Sequence, residues 1–234
     1  MKNYGKTFVA AFRYSIPVLL GFLALGAAYG LVLIDAGLPW WLAPVSCVVI
    51  FAGAGQFLAV VMLAAGAGLA ELFIAEIVLN ARHIAYGISL HRRIGETGCF
   101  KWYLIYALVD ETFALISSLP EELEPDLDRT LLMFFIAALD QVYWICGALI
   151  GVAAGSLIPF NFEGVGFALT SLFVVLMVEQ IRRVKKPGPF VIAALVSTLA
   201  VIVLPSRFTL PGSLILSIAL AQYVMPVPGK DRGL

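Results

Sequence analysis

Charge is scarce in this sequence: Asp, Glu, Lys and Arg make up 13% of its 234 residues, where about 25% is usual for a soluble domain. A soluble fold of this length needs a polar shell that so few charges supply only thinly, so soluble enzyme classes are mostly excluded. Cysteine is almost missing too. Cys47, Cys99 and Cys146 stand singly, with neither a disulfide framework nor a metal-ligand spacing, and read as small packing residues. Fifteen bases balance fifteen acids, leaving no net field to attract nucleic acid. No cofactor or metal is expected.

What the sequence has is apolar length. Hydrophobic residues reach 62%, against a usual share of about 45–50%. They gather into eight runs: Ser15–Ile34, Trp40–Ala65, Leu69–Leu90, Lys101–Leu119, Thr130–Ile158, Gly164–Ile181, Pro189–Leu204 and Phe208–Val224. Lipid leaves no water for unpaired backbone groups, and the runs are too long for barrel strands, so each is expected to be helical. The fold class is therefore all-α: a single-domain polytopic transmembrane bundle of 7–8 hydrophobic segments. The first run exceeds a signal-peptide core and is read as a retained span despite the bases before it.

Most of the bases fall in four clusters, Lys2/Lys6/Arg13, Arg92/Arg93/Lys101, Arg182/Arg183/Lys185/Lys186 and Lys230/Arg232. The positive-inside rule places all four in the cytoplasm, and with them both termini. The acidic stretch Glu121, Glu122, Glu124, Asp126, Asp128 would then face outward. Three runs separate the first cluster from the second and three more the second from the third, and an odd number of crossings cannot return to one side. One run in each set must be broken or re-entrant. The two longest, at about 40–65 and 130–158, are the candidates, the first through Ala52-Gly53-Ala54-Gly55 and the second through Gly147, Gly151 and Gly155. Four-residue glycine spacing also fits a close helix-packing face. This reading yields an internal duplication over about residues 10–95 and 100–182, then a C-terminal hairpin over 189–224. Broken helices at matching places in two repeats are a pointer to a transporter site.

Polar residues inside the runs are costly at membrane depth and mark function or pairing. On the third run Glu76, Asn80, His83 and Gly87 share one helical face, with Arg82 and Tyr86 beside it, while Ile74, Ile77, Val78 and Ile84 fall opposite. Arg82 suits a carboxylate, and Glu76 or His83 a proton. The alternative is an internal Arg–Glu pair and a core histidine. Read as one helix, the fourth run puts Tyr103, Tyr106, Asp110 and Ser117 on a face, with Glu111 adjacent. Asp110 is a counter-ion for Arg82 or a proton carrier. Asp140 in the fifth run is a further functional candidate, although pairing with Arg82 also explains it. Gly53, Gly55 and Gln56 lie in the first suspected break, where half-helix N–H groups suit a carboxylate.

In order along the chain, Phe51-Ala-Gly-Ala-Gly-Gln56-Phe57, Asn80-Ala-Arg82-His83-Ile-Ala-Tyr86, Val109-Asp110-Glu111-Thr112-Phe113-Ala114-Leu115 and Gly164-Val-Gly-Phe167-Ala-Leu-Thr-Ser-Leu-Phe173 resemble the AzlC-type branched-chain amino-acid permease family. The likeness covers roughly Phe8 to Lys186, and Val109 departs from the Thr more usual before the Asp-Glu pair. The resemblance implies an exporter of valine, leucine and isoleucine, in some members also of methionine, in the bacterial inner membrane; proton coupling is read from the intramembrane acids and His83. It also implies a small AzlD-type membrane subunit as partner, with no nucleic acid involved.

The family carries no site residues over, so the site is read physically. Gly53, Gly55, Gln56, Asn80, Arg82, Tyr86, Asp110 and Asp140 are the substrate-binding candidates. Arg82 with Gly53 and Gly55 takes the carboxylate, and Asp110 or Asp140 the ammonium. Glu76, His83, Asp110 and Glu111 are the proton-coupling candidates. The competing functions are a channel or carrier for another small solute and, less favoured, an intramembrane enzyme. An Asp110/Asp140 dyad lacks a Gly-x-Gly-Asp setting, and neither His83 nor His91 has a visible nucleophile.

Overall fold

A computed structural model describes residues 4–94, 99–120, 122–157 and 187–205, with isolated positions between 174 and 182 and between 209 and 221. Every regular element among them is a helix: α1 (Tyr4–Asp35), α2 (Leu42–Val49), α3 (Gly53–Ala64), α4 (Leu69–Ile94), α5 (Cys99–Tyr106), α6 (Asp110–Ser118), α7 (Arg129–Leu157) and α8 (Gly188–Val203). Of these, α1 and α7 are long and apolar enough to cross a membrane. Most of the run Gly164–Ile181, part of Phe208–Val224, and the two C-terminal basic clusters apart from Arg182 lie outside the described residues.

The chain forms two compact units, one of Met1–Ala64 with Asn80–Asn161 and the other of Ala65–Leu79 with Phe162–Leu234. In the second, α8 buries a narrow stripe, Val196 and Ala200, and exposes Leu195, Leu199 and Ile202, as a helix bathed in lipid would.

The first unit is built on α1 against α7. Phe8 meets Phe135 edge-on at 5.4 Å, Ser15 bonds Tyr143 at 3.0 Å, Phe22 meets Trp144, and Gly155 lies against Leu31 and Ile34. Residue numbers rise together along both helices, so α1 and α7 are parallel. Their backbones touch where glycines face each other. A Cβ on Gly26 would sit 2.8 Å from the Trp144 carbonyl oxygen, and one on Gly147 2.7 Å from that of Phe22. A Cβ on Gly30 or Gly151 would fall on the carbonyl oxygens of Ala148 and Ala27. Small residues let helices approach this closely, and dispersion between backbones then holds them.

That seam overturns one expectation. The segment expected to break at about 130–158 is a single continuous helix, because Gly147, Gly151 and Gly155 serve packing against α1 rather than unwinding. The first expected break is present, at Phe51 and Ala52 between α2 and α3. Phe51 holds a φ of 40°, a left-handed conformation costly for a bulky residue, while 2% exposed. Gly53 and Gly55 begin α3 rather than forming the break.

The second break falls in the run Lys101–Leu119, between Tyr106 and Asp110. Ala107, Leu108 and Val109 are buried there. Phe100 at the start of α5 packs on Phe134 near the start of α7. Tyr103 bonds Gln141, half-way along α7, and Thr112 on α6 bonds Asp140. Arg129 then bonds the Pro120 carbonyl at 2.6 Å, and Asp128 caps α7 through the Thr130 and Leu131 N–H groups. The α5–α6 pair therefore descends from the N-terminal end of α7 and returns to it.

The acidic connection consequently lies at the same end as the N-terminus, where Lys6 pairs with Asp126 at 2.5 Å. The expectation that these two segments face opposite sides is corrected. A run read as one spanning helix is a helical hairpin, and its return brings residues 122–128 to the same end of α1 and α7 as Lys6.

Candidate functional site

Helix α4 has the two walls its sequence implies. Ile74, Ile77, Ile84 and Ile88 are exposed, whereas Glu76, Asn80, Arg82, His83, Tyr86 and Gly87 are half-buried. Arg82 reaches Asp110, with a guanidinium nitrogen 2.9 Å from Oδ2. The Tyr86 hydroxyl donates to Oδ1 of the same carboxylate at 2.5 Å. The Tyr86 ring stacks on Phe113 at 4.4 Å and tilts against His83. Asp110 is the first residue of α6, capped by extended Val109, so its negative charge also faces the positive end of a half-helix. The Nε of Arg82 is buried without a hydrogen-bond partner among the described residues. A donor is thus free beside an ion pair that remains partly open, the Arg82 side chain being 36% exposed.

A second polar group forms where the α2–α3 break meets α7. Trp144 donates its indole N–H to Gln56 Oε1 at 2.8 Å. The Gln56 amide donates to Ser46 Oγ at 3.0 Å and to Cys47 Sγ at 3.3 Å, and Ser46 pairs with Tyr29 at 2.6 Å. The carbonyls left over at the end of α2 are also met: Cys47 accepts from Gln141 at 3.2 Å, and Val48 from the Tyr106 hydroxyl. Gly53 is needed for approach, since a Cβ there would lie 3.2 Å from the Trp144 ring. Broken backbone at this depth is tolerated only where such partners satisfy it.

The expected residues therefore divide. Arg82, Tyr86 and Asp110 come together. Gln56 does not join them, its amide being engaged by Trp144, Ser46 and Cys47. Asp140 does not pair with Arg82: it is fully buried and accepts from Thr112 at 2.7 Å. The grouping of Tyr103, Tyr106 and Asp110 on one face fails for the same reason as the helix that carried it, and the two tyrosines turn to Gln141 and Val48. Ser46, Thr112, Gln141, Trp144 and Tyr29 were not selected from sequence as site residues. The signal available for Trp144 was its four-residue spacing from Asp140.

The family model described as AzlC protein matches residues 17–158, the part of the chain holding both breaks and both polar groups. The chain belongs to the AzlC family. It is 36% identical to the branched-chain amino acid transport protein AzlC of Bacillus subtilis, over 76% of this chain and 70% of that one. An uncharacterized membrane protein of Helicobacter pylori is 37% identical over 78% of this chain and 79% of its own. The inner membrane protein YgaZ of Escherichia coli is 29% identical over 91% and 86%. No solved structure matches. This AzlC-family chain is accordingly a membrane transport protein and not an enzyme.

Proposed function

We propose that this chain exports valine, leucine, isoleucine and methionine across the bacterial inner membrane, driven by protons, by alternating access and with a small AzlD-type membrane subunit. The observation that carries the reading is the Arg82–Asp110 pair at the start of a half-helix. An amino-acid zwitterion presents the same two charges. Its carboxylate can take the place of Asp110 on Arg82, using the free Nε for a two-point contact, and its ammonium then meets the displaced carboxylate of Asp110. Tyr86 and Phe113 supply an apolar wall. Asn80 and His83 on α4 and Glu111 on α6 are the further polar candidates beside this pair.

The parallel seam supports one arrangement of crossings. Parallel α1 and α7 require an odd number of crossings between them, and α5–α6 contributes none. With α4, about 39 Å long at its 26 residues, as the returning span, α2–α3 must also enter and leave on one side. The N-terminal bases, the Arg92–Lys101 cluster and the acidic connection then share one face, which the bases make cytoplasmic.

The test is efflux from dipeptide-loaded cells expressing the chain with its small partner. Valine and isoleucine efflux should fall at least tenfold in Arg82→Ala at equal membrane abundance, and should fall when a protonophore collapses the gradient. Absence of efflux from protein shown to be in the membrane would remove the amino-acid reading and favour another solute.

A further inference from the structure

We propose that Asp140 is the proton-carrying group of the transport cycle, holding the proton on Oδ1 while Thr112 braces Oδ2. The inference rests on the proton-coupled reading and reassigns a residue expected to meet the substrate ammonium. Asp140 is fully buried in α7. Thr112 donates to Oδ2 at 2.7 Å, and Oδ1 has no hydrogen-bond partner among the described residues. Arg82 is committed to Asp110. The ionisable groups that face Asp140 are Glu111 from α6, Tyr103 from α5 and Tyr143 from its own helix. From α1 comes Ser15, held by the Tyr143 hydroxyl. None of these supplies a positive charge.

A carboxylate taken out of water without a counter-charge is strongly disfavoured, whereas the neutral acid is tolerated. The closed arrangement therefore holds the acid. Its O–H bond breaks to water when the site opens to one side and reforms from water when it opens to the other, with nothing oxidised or reduced. Coupling comes from chain connectivity. Asp110 and Thr112 lie in the first turn of one nine-residue helix. A shift of α6 that frees Asp110 from Arg82 to admit substrate also moves the Thr112 hydroxyl on Asp140, altering how readily the proton leaves.

Two readouts on the full chain with its small partner in proteoliposomes test this. Infrared spectra of wild type at pH 7 should show a protonated-carboxyl stretch that Asp140→Asn removes. Thr112→Val, which loses the donor to the charged form, should raise the titration midpoint of that band by about one pH unit, and Thr112→Ser should restore it. In transport, Asp140→Asn should lose at least tenfold in proton-driven net valine movement, with equal-concentration valine exchange falling far less. A band unchanged in Asp140→Asn, net movement as proton-driven in that variant as in wild type, or a requirement for sodium in place of protons would each overturn the proposal. A band that titrates with Asp140 in vesicles that move no amino acid would instead overturn the transport reading and leave the proton site standing.

Discussion

The two halves of α7 bury the same stripe in different ways. Toward its C-terminus the stripe is Gly147 and Gly151, pressed against the α1 backbone, and Gly155, against the Leu31 and Ile34 side chains. Toward its middle it is Asp140 and Trp144, each hydrogen-bonded to a residue of a broken helical pair, Thr112 and Gln56. Where α7 meets a continuous helix the need is closeness, which only a missing side chain gives. Where it meets unwound backbone the need is hydrogen bonding, which only a polar side chain gives. One helix thus clamps a rigid seam at one end and supports two breaks at the other, a division suited to a carrier whose half-helices move against a fixed frame.

The largest effect should come from filling the seam. Gly30→Ala or Gly151→Ala puts a methyl onto a carbonyl oxygen of the facing helix, and backbone cannot yield as a side chain would. Overpacking costs about 1–3 kcal/mol and sometimes more, so these variants should lose most folded protein, read as monodisperse material surviving detergent extraction. Gly21→Ala, with nothing within 4 Å, should leave the thermal midpoint where it is or raise it slightly. Equal tolerance at all three positions would break the contrast.

Next in size is the Arg82–Asp110 pair. Removing one partner of a buried pair costs about 3–5 kcal/mol, and the partial exposure of Arg82 reduces that by roughly half through solvent screening. Asp110→Ala alone should therefore lower membrane abundance, and Arg82→Ala with Asp110→Ala should recover it while transport stays lost. Recovery of transport in the double variant would make the pair a structural register device rather than a binding site.

Much of this frame was legible from sequence, and the failures share a cause. Helical character, the polar wall of α4 and the first break followed from hydropathy, periodicity and Ala52-Gly53-Ala54-Gly55. The second break was assigned to the glycines of α7, because glycine permits both unwinding and close packing and the neighbour that decides between them lies more than a hundred residues away. The true break, Ala107-Leu-Val109, holds no glycine or proline and reads as continuous apolar helix. Pairing failed similarly: Asp110 and Asp140 were equal claimants on Arg82 until the hairpin brought Asp110 to α4 and left Asp140 to Thr112. The Val48 carbonyl at the end of α2, met by Tyr106, had no signal at all, since backbone acceptors are silent in sequence.

A smaller effect probes the polar half of α7. Trp144→Phe removes the indole donor to Gln56 while keeping a ring between Phe22 and Tyr29. It leaves Gln56 Oε1 without that buried donor, which costs about 1–3 kcal/mol. Combined with Gln56→Leu the cost should fall below the sum of the two singles, the mark of a shared bond in a double-mutant cycle. Additive losses would mean that Trp144 acts through its ring packing on Phe22, Tyr29 and Gly53 and not through the bond.

The smallest energetic effect carries the most topological information. Lys6 and Asp126 are mostly exposed, at 60% and 57%, so Lys6→Ala should not move the thermal midpoint measurably. Hydrogen bonding and charge from Asp126 raise the pKa of Lys6 above its ordinary value. The ammonium is therefore held through neutral pH, and the pair's contribution is lost as pH rises through that raised pKa. In a background with Cys47, Cys99 and Cys146 replaced, Lys6→Cys and Asp126→Cys should be labelled by an impermeant thiol reagent from one and the same side, and together should cross-link on mild oxidation. Labelling from opposite sides would require α5–α6 to cross the membrane. That would undo the parallel seam as well, because α1 and α7 can run parallel with Lys6 beside Asp126 only if the hairpin returns.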